Sequence, residues 1–125
     1  MLIGEILSNT AEQLPDKTAL ICGCEQQSYA ALDALANRVA NALIRENLAK
    51  GHNTAIYSAN RIEYPAIFFG AAKSGGVLAH MSTRFSEDEL VSVINKTDIE
   101  ALFVEAALLG RLSAIRARLP ALKRV

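Results

Sequence analysis

The stretch "AAKSGGVLAHMSTRFSEDEL" (Ala71–Leu90) holds a Lys-Ser-Gly-Gly run, then a short apolar segment, then three acids behind a serine. A phosphate-cradling Walker loop needs its glycines ahead of the Lys-Ser pair, so that successive backbone N–H groups surround the anion. Here the glycines come after. That order suits a helix C-terminus, with Lys73 facing the negative end of the helix dipole and Gly75 in a left-handed cap. "VLAH" (Val77–His80) then reads as a strand. Ser86, with Glu89 three residues on, forms a capping box that opens a further helix. Helix, turn, strand, loop and helix in that order are the unit of an α/β fold.

The same alternation extends to both sides. "YPAIFFGAAK" (Tyr64–Lys73) is a helix that tolerates Pro65 only near its start, and Asn60 with Glu63 resembles a capping pair ahead of it. Ile67, Phe68, Phe69, Ala71 and Ala72 cover nearly every side of this helix, which predicts burial on more than one side. "TAIYS" (Thr54–Ser58) is a strand before it, entered after Gly51. Earlier still, Ser28 is placed to cap a long helix. Its apolar stripe is Leu32, Leu35, Ala36, Val39, Ala40, Leu43 and Ile44, with Asp33, Asn37, Arg38, Asn41 and Arg45 on the other side. "TALIC" (Thr18–Cys22) is a strand after the break at Pro15 and Asp16. The opening residues form a helix through Ile3, Ile6, Leu7, Ala11 and Leu14, not a signal peptide. Downstream, "ALFV" (Ala101–Val104) is a strand. Leu108, Leu112, Ile115 and Leu119 give a last helix its stripe, Arg111, Arg116 and Arg118 are biased toward its negative end, and Pro120 stops it. Strands separated by helices predict an α/β fold with a mainly parallel sheet flanked by helices.

Thirteen basic residues balance thirteen acidic ones among 125, so no electrostatic field draws in nucleic acid or an anionic membrane. No apolar stretch is long enough to span a bilayer, and a cytoplasmic protein is expected. Apolar residues reach 51% and mean hydropathy is +0.20, a high apolar load for a domain standing alone. Cys22 and Cys24 are too close along one strand face to bond easily and give no disulfide framework. With His52 and His80 they are the only soft metal ligands, and they lack paired spacing, so no metal site is expected. His80, ending a strand expected to be buried, reads as a hydrogen-bonded histidine. No Ser, Cys or Lys has a neighbouring base that would mark a nucleophile, and no catalytic residue is assigned. Glu87, Asp88 and Glu89 are accounted for by a first helical turn. The exposed cation most open to a functional reading is Arg84, between a strand's carboxyl end and the next helix, the edge at which open α/β sheets bind ligands. A solvated loop arginine, or a partner for the nearby acids, is its other reading.

Taken in order, "PDKTALI", "SYAALDALANRVANALI", "YSANRIEYPAIFFGAAKSGGVLAHMSTRFSEDELVSVI" and "EALFV" resemble the amino-terminal part of the adenylate-forming acyl-CoA synthetases, from about Ile3 to Val104. There the segment at Lys73 to Gly76 commonly reads Lys-Ala-Gly-Ala, and the next strand leads through an Asn-Pro-Arg or similar turn to an acidic helix cap. Arg84, Ser86 and Glu89 match that layout. His80 stands where proline is common, Ser82 where asparagine is common, and "GHNT" (Gly51–Thr54) replaces a frequent Gly-Asp-Arg-Val. "MSTRFS" lacks the Asp-Pro and Tyr-Pro usual in the peptide-synthetase adenylation domains, which favours a CoA ligase.

The resemblance implies that residues 1–125 are a partial amino-terminal AMP-binding domain, without the family's phosphate loop or carboxyl-terminal domain. The intact enzyme would activate a carboxylic acid with ATP and magnesium to an acyl-adenylate, and the CoA thiol would then displace AMP. Arg84 would be a cofactor-binding residue contacting a CoA phosphate. The fragment itself is expected to be inactive, to hold no cofactor, and to self-associate through helix faces meant to pack on the rest of the large domain. The alternative is a stand-alone α/β binding or interaction module that uses the loops around Arg84 without catalysis.

Overall fold

The computed structural model describes residues 2–59 and 61–125. The elements follow in the order α1 (Ile3–Gln13), β1 (Thr18–Cys22), β2 (Glu25–Ser28), α2 (Tyr29–Arg45), β3 (Asn53–Tyr57), α3 (Tyr64–Ser74), β4 (Val77–Met81), α4 (Glu87–Lys96), β5 (Ile99–Val104) and α5 (Leu109–Ile115), with single 3-10 turns at Ala106–Leu108 and Arg116–Arg118. Three strands form one parallel sheet in the order β4-β3-β5. The chain therefore passes from the central strand to one edge through α3, and across to the other edge through α4.

Both faces of this sheet are covered, which is why β3 is apolar along most of its length. Ala55 and Tyr57 point into one cluster with Leu90 and Ile94 of α4 and Leu112 and Ile115 of α5. Leu78, Ala101 and Phe103 face the opposite layer, with Leu43 of α2 and Ala71 of α3. α1 and the hairpin close the far side of α2, where Leu7, Leu32, Ala36 and Ala66 are buried together. The helices α2 and α3 approach closely because residue 70 has no side chain. A Cβ there would lie 2.5 Å from Val39 Cβ and 2.9 Å from the Ala36 carbonyl oxygen.

The Lys-Ser-Gly-Gly run is a turn. Gly75 takes φ 83°, the left-handed conformation in which glycine carries no Cβ penalty, and its N–H bonds back to the last turn of α3. Ser28 caps α2 by accepting from the Ala31 N–H. Ser86 and Glu89 exchange hydrogen bonds of 3.2 Å each, the expected capping box. No residue of α3 is fully exposed, as its all-round apolar pattern predicts.

Several expectations are corrected. Thr18–Cys22 is not a strand of the parallel sheet; it pairs antiparallel with Glu25–Ser28 in a separate hairpin. The second hairpin strand, Glu-Gln-Gln-Ser, carries no strand signal in its sequence, because its outer residues face solvent and need no β-branched side chains. In α1 only Leu7 and Ala11 of the apolar stripe are buried, while Ile3 and Ile6 remain 51% and 50% exposed. Ile44 of α2 is also exposed. Of the proposed Asn60–Glu63 capping pair, Asn60 lies outside the described residues, and Glu63 occupies the cap position itself without a side-chain cap bond. Arg111 falls in the first turn of a short α5, not at its negative end. His80 is exposed, because β4 is an edge strand.

Candidate functional site

Three loops leave the carboxyl ends of β3, β4 and β5 at one edge of the sheet. Parallel strands direct such loops to the same side, and ligands of open α/β folds gather there. The loop after β3 and the start of α3 meet the loop after β5 across a cleft of about 290 Å³, floored by Ile56, Ile67 and Phe103. Its rim is charged. Arg61 lies 3.6 Å from Glu63 and 3.7 Å from Glu105, so the guanidinium bridges the two loops. Tyr64 opens α3 beside this cleft, and its hydroxyl is 2.6 Å from His80 Nδ1. Burial raises the Tyr64 pKa above its ordinary value, so the phenol keeps its proton at neutral pH. The His80 ring stacks on Tyr64 and on Phe68 at centroid distances of 5.6 and 5.8 Å. Thus His80 is hydrogen-bonded as expected, but on the surface.

Arg84 sits in the loop after β4, at the corner of a tight turn. The Phe85 N–H bonds to the Ser82 carbonyl at 3.3 Å, and the Arg84 N–H bonds to Ser82 Oγ at 3.1 Å. Serine and asparagine side chains both make this kind of local bond to a backbone N–H two residues on, so Ser82 preserves the turn despite departing from the more frequent asparagine. Among the described residues the Arg84 guanidinium has no ion-pair or hydrogen-bond partner, and it is exposed. The nearby acids do not take it: Asp88 pairs with Arg118 at 3.0 Å, and Glu89 is engaged in the cap.

Lys73, in contrast, is a structural cation. Its Nζ donates to Ser8 Oγ at 2.8 Å and to Asn37 Oδ1 at 2.7 Å, and forms an ion pair with Asp33. It ties α1, α2 and α3 together.

Arg61, Tyr64, Glu105 and Arg111 were not singled out as site residues from the sequence. For Arg111 a signal existed: it lies three residues after Leu108 and four before Ile115, on the buried stripe of the last helix. Among the described residues no group of three His, Cys, Asp or Glu side chains could hold a metal ion. No described helix is long and apolar enough to cross a membrane. The cleft has an apolar floor beneath a charged rim, and Arg84 presents an exposed guanidinium on the loop after β4. The described residues that meet there offer hydrogen-bond donors and charge, and the Tyr64–His80 pair is their one contact between a titratable hydroxyl and an imidazole.

Residues 7–125 match the family described as AMP-binding enzyme. A medium/long-chain-fatty-acid–CoA/3-oxocholest-4-en-26-oate–CoA ligase of Mycobacterium marinum is 33% identical over 123 residues, which cover 98% of this chain and 22% of the relative. The long-chain-fatty-acid–CoA ligase FadD13 of Mycobacterium tuberculosis is 32% identical over 93 residues, 74% of this chain and 18% of that protein. Among solved structures, the inhibitor-bound N-terminal domain of FACL13 from Mycobacterium tuberculosis superposes with a TM-score of 0.93 at 28% identity, covering 98% of this chain and 32% of that one. The anthranilate CoA ligase AuaEII, bound to anthranoyl-AMP, shares the fold with a TM-score of 0.93 at 23% identity, over all of this chain and 25% of its own. This chain therefore spans about a fifth of the length of its curated relatives. With the family's match running through the strands, the capping box and the Arg84 turn alike, the chain belongs to the AMP-binding enzyme family.

Proposed function

We propose that this chain is the amino-terminal part of the large domain of an AMP-forming acyl-CoA synthetase. In the intact enzyme a carboxylate oxygen of the acid attacks the α-phosphorus of ATP and pyrophosphate leaves. The CoA thiol then loses its proton and attacks the acyl carbonyl, and AMP leaves with the electrons of the broken acyl–oxygen bond. The observation that carries this reading is the 33% identity to a fatty-acid–CoA ligase across 98% of the chain. The role of this part is to build the sheet edge and to present Arg84, whose free guanidinium contacts a phosphate of CoA by charge-assisted hydrogen bonds.

On this reading the 125 residues alone are inactive and self-associate. Their solvent-accessible surface is 7313 Å², against roughly 6,500 Å² for a free-standing folded monomer of this mass. The excess includes Ile3 and Ile6 of α1, Val77 of β4 and Leu109 of α5, all more than 40% exposed. Acid-dependent exchange of labelled pyrophosphate into ATP tests the assignment. The expected result is no exchange from the chain alone, and exchange when it replaces the matched region of the Mycobacterium marinum ligase. Exchange by the chain alone overturns its inactivity. A folded chimera without exchange overturns the family role of this segment. Sedimentation at rising concentration tests the association, and a monomer throughout would refute it.

A further inference from the structure

The turn that carries Arg84 is held from behind by a residue on another element. The Arg111 guanidinium, at the start of α5, donates to the Thr83 carbonyl at 3.2 Å and to the Phe85 carbonyl. These two residues flank Arg84 on either side. The same guanidinium donates to the Tyr57 hydroxyl at 2.7 Å, at the carboxyl end of the central strand. Tyr57 is fully buried, so Arg111 is anchored to the central strand of the sheet before it reaches the loop. The planar fork of arginine suits this task, because it presents several N–H groups in fixed directions and can satisfy two carbonyls and a hydroxyl at once. The Phe85 ring packs against the core beneath. Every constraint on the turn thus falls on the residues either side of Arg84, or on its backbone, and its guanidinium stays free.

We propose that Arg111 is the positioning residue for Arg84: it fixes the corner of the turn, so that the backbone carrying the Arg84 guanidinium does not have to be ordered when the anion binds. The part of this claim that concerns CoA rests on the role proposed above for Arg84; the part that concerns the turn does not. A preorganised donor saves the ordering cost of binding, so loss of the preorganisation weakens affinity even though no contact to the ligand is removed.

The test uses the chimera in which this chain replaces the matched region of the Mycobacterium marinum ligase, with CoA as the probe, followed by amide hydrogen exchange at Arg84 and Phe85 and by titration. In Arg111→Met both amides are expected to exchange about tenfold faster, the scale of one lost hydrogen bond of typical net strength. CoA affinity is expected to fall by a similar factor in the Arg84 background, and by nothing further in Arg84→Ala, since Arg111 acts through Arg84. Arg111→Lys keeps the charge without the fork and should behave like Arg111→Met, which separates positioning from simple attraction of an anion. If Arg111→Met does not fold, Tyr57→Phe removes only the anchoring hydroxyl and should move both readouts in the same direction by less. Unchanged exchange at both amides overturns the positioning role. Equal loss of CoA affinity from Arg111→Met with and without Arg84 also overturns it. CoA binding indifferent to Arg84→Ala sinks the CoA role of Arg84, while the exchange measurement still decides what Arg111 does to the turn.

Discussion

Lys73 and Arg84 lie at either end of the short β4 segment, and the fold treats the two cations in opposite ways. Lys73 comes from the last turn of a helix wrapped by α1 and α2, where its side chain is only 12% exposed and meets three acceptors. Arg84 comes from a loop at the sheet edge, where the described residues supply constraints on its backbone and no partner for its charge. A cation inside must be paired, because an unpaired charge in low dielectric costs far more than one in water. A cation at a strand's carboxyl end can be left free for something else. The difference separates a paired cation from an unpaired one across the segment that runs from α3 through β4.

The most direct way to break the comparison is to remove the buried charge. Lys73→Met leaves the Asp33 carboxylate, 21% exposed, without its counter-ion. Loss of one partner from such a pair is expected to cost about 3 kcal/mol, read as a lowered urea midpoint with an unchanged slope. A cost near zero would mean that water reaches Asp33 and that Lys73 is no more a scaffold cation than Arg84 is. Next in size is the cap that opens α4. Ser86→Ala removes the acceptor for the Glu89 N–H and should cost about 1 kcal/mol, with loss of helicity at the loop end of α4 seen by amide exchange. Should the same exchange spread into the Arg84 turn, the cap and the turn are one unit.

Much of this was legible in the sequence because it depends on local periodicity. The order of glycines after Lys73-Ser74 specifies a left-handed helix terminus, and φ 83° at Gly75 is what that order produces. Ser86 and Glu89, and Ser28 ahead of α2, declare their helices by spacing alone. What was not legible depends on contacts distant in sequence. Asp33 and Asn37 belong to the polar side of α2 by helical pattern, yet that side faces Lys73. The side of a strand on which a partner lies is likewise a tertiary matter, so Thr18–Cys22 could not be told from a sheet strand by its own residues. Arg111 combines both cases: its spacing from Leu108 and Ile115 carries an inward signal that the reading as a helix-end cation passes over, and only the fold brings Tyr57, Thr83 and Phe85 to it.

The opposite end of the sheet gives a smaller effect, readable as a slope with pH. Glu100 accepts from Lys123 and lies against His52, and these hydrogen bonds, Lys123 first, hold its pKa below the ordinary 4.5. Because the folded value is the lower one, the contribution of Glu100 is complete above the normal carboxylate range and disappears as pH falls through the folded value. Stability measured from neutral pH into acid should therefore fall less steeply in Glu100→Gln than in the parent chain. Parallel curves would show that the pairing with Lys123 and His52 does not persist in solution. The amino-end network would then be as free as Arg84.

The smallest expected effect is the sharpest test of the contrast. Arg84→Ala should change stability by less than about 0.5 kcal/mol, the range of surface substitutions that break no cap, core contact or pair. The turn around it is maintained by Ser82 and Arg111, neither of which uses the Arg84 side chain. Thermal unfolding of Arg84→Ala beside Lys73→Met therefore compares two charge deletions in the same chain with opposite predicted outcomes. A loss comparable to that of Lys73→Met would mean that the Arg84 guanidinium itself organises the turn. Causality would then run from Arg84 to the loop and not from Arg111 to Arg84, and the loop would need its own arginine to exist before any phosphate could be offered to it.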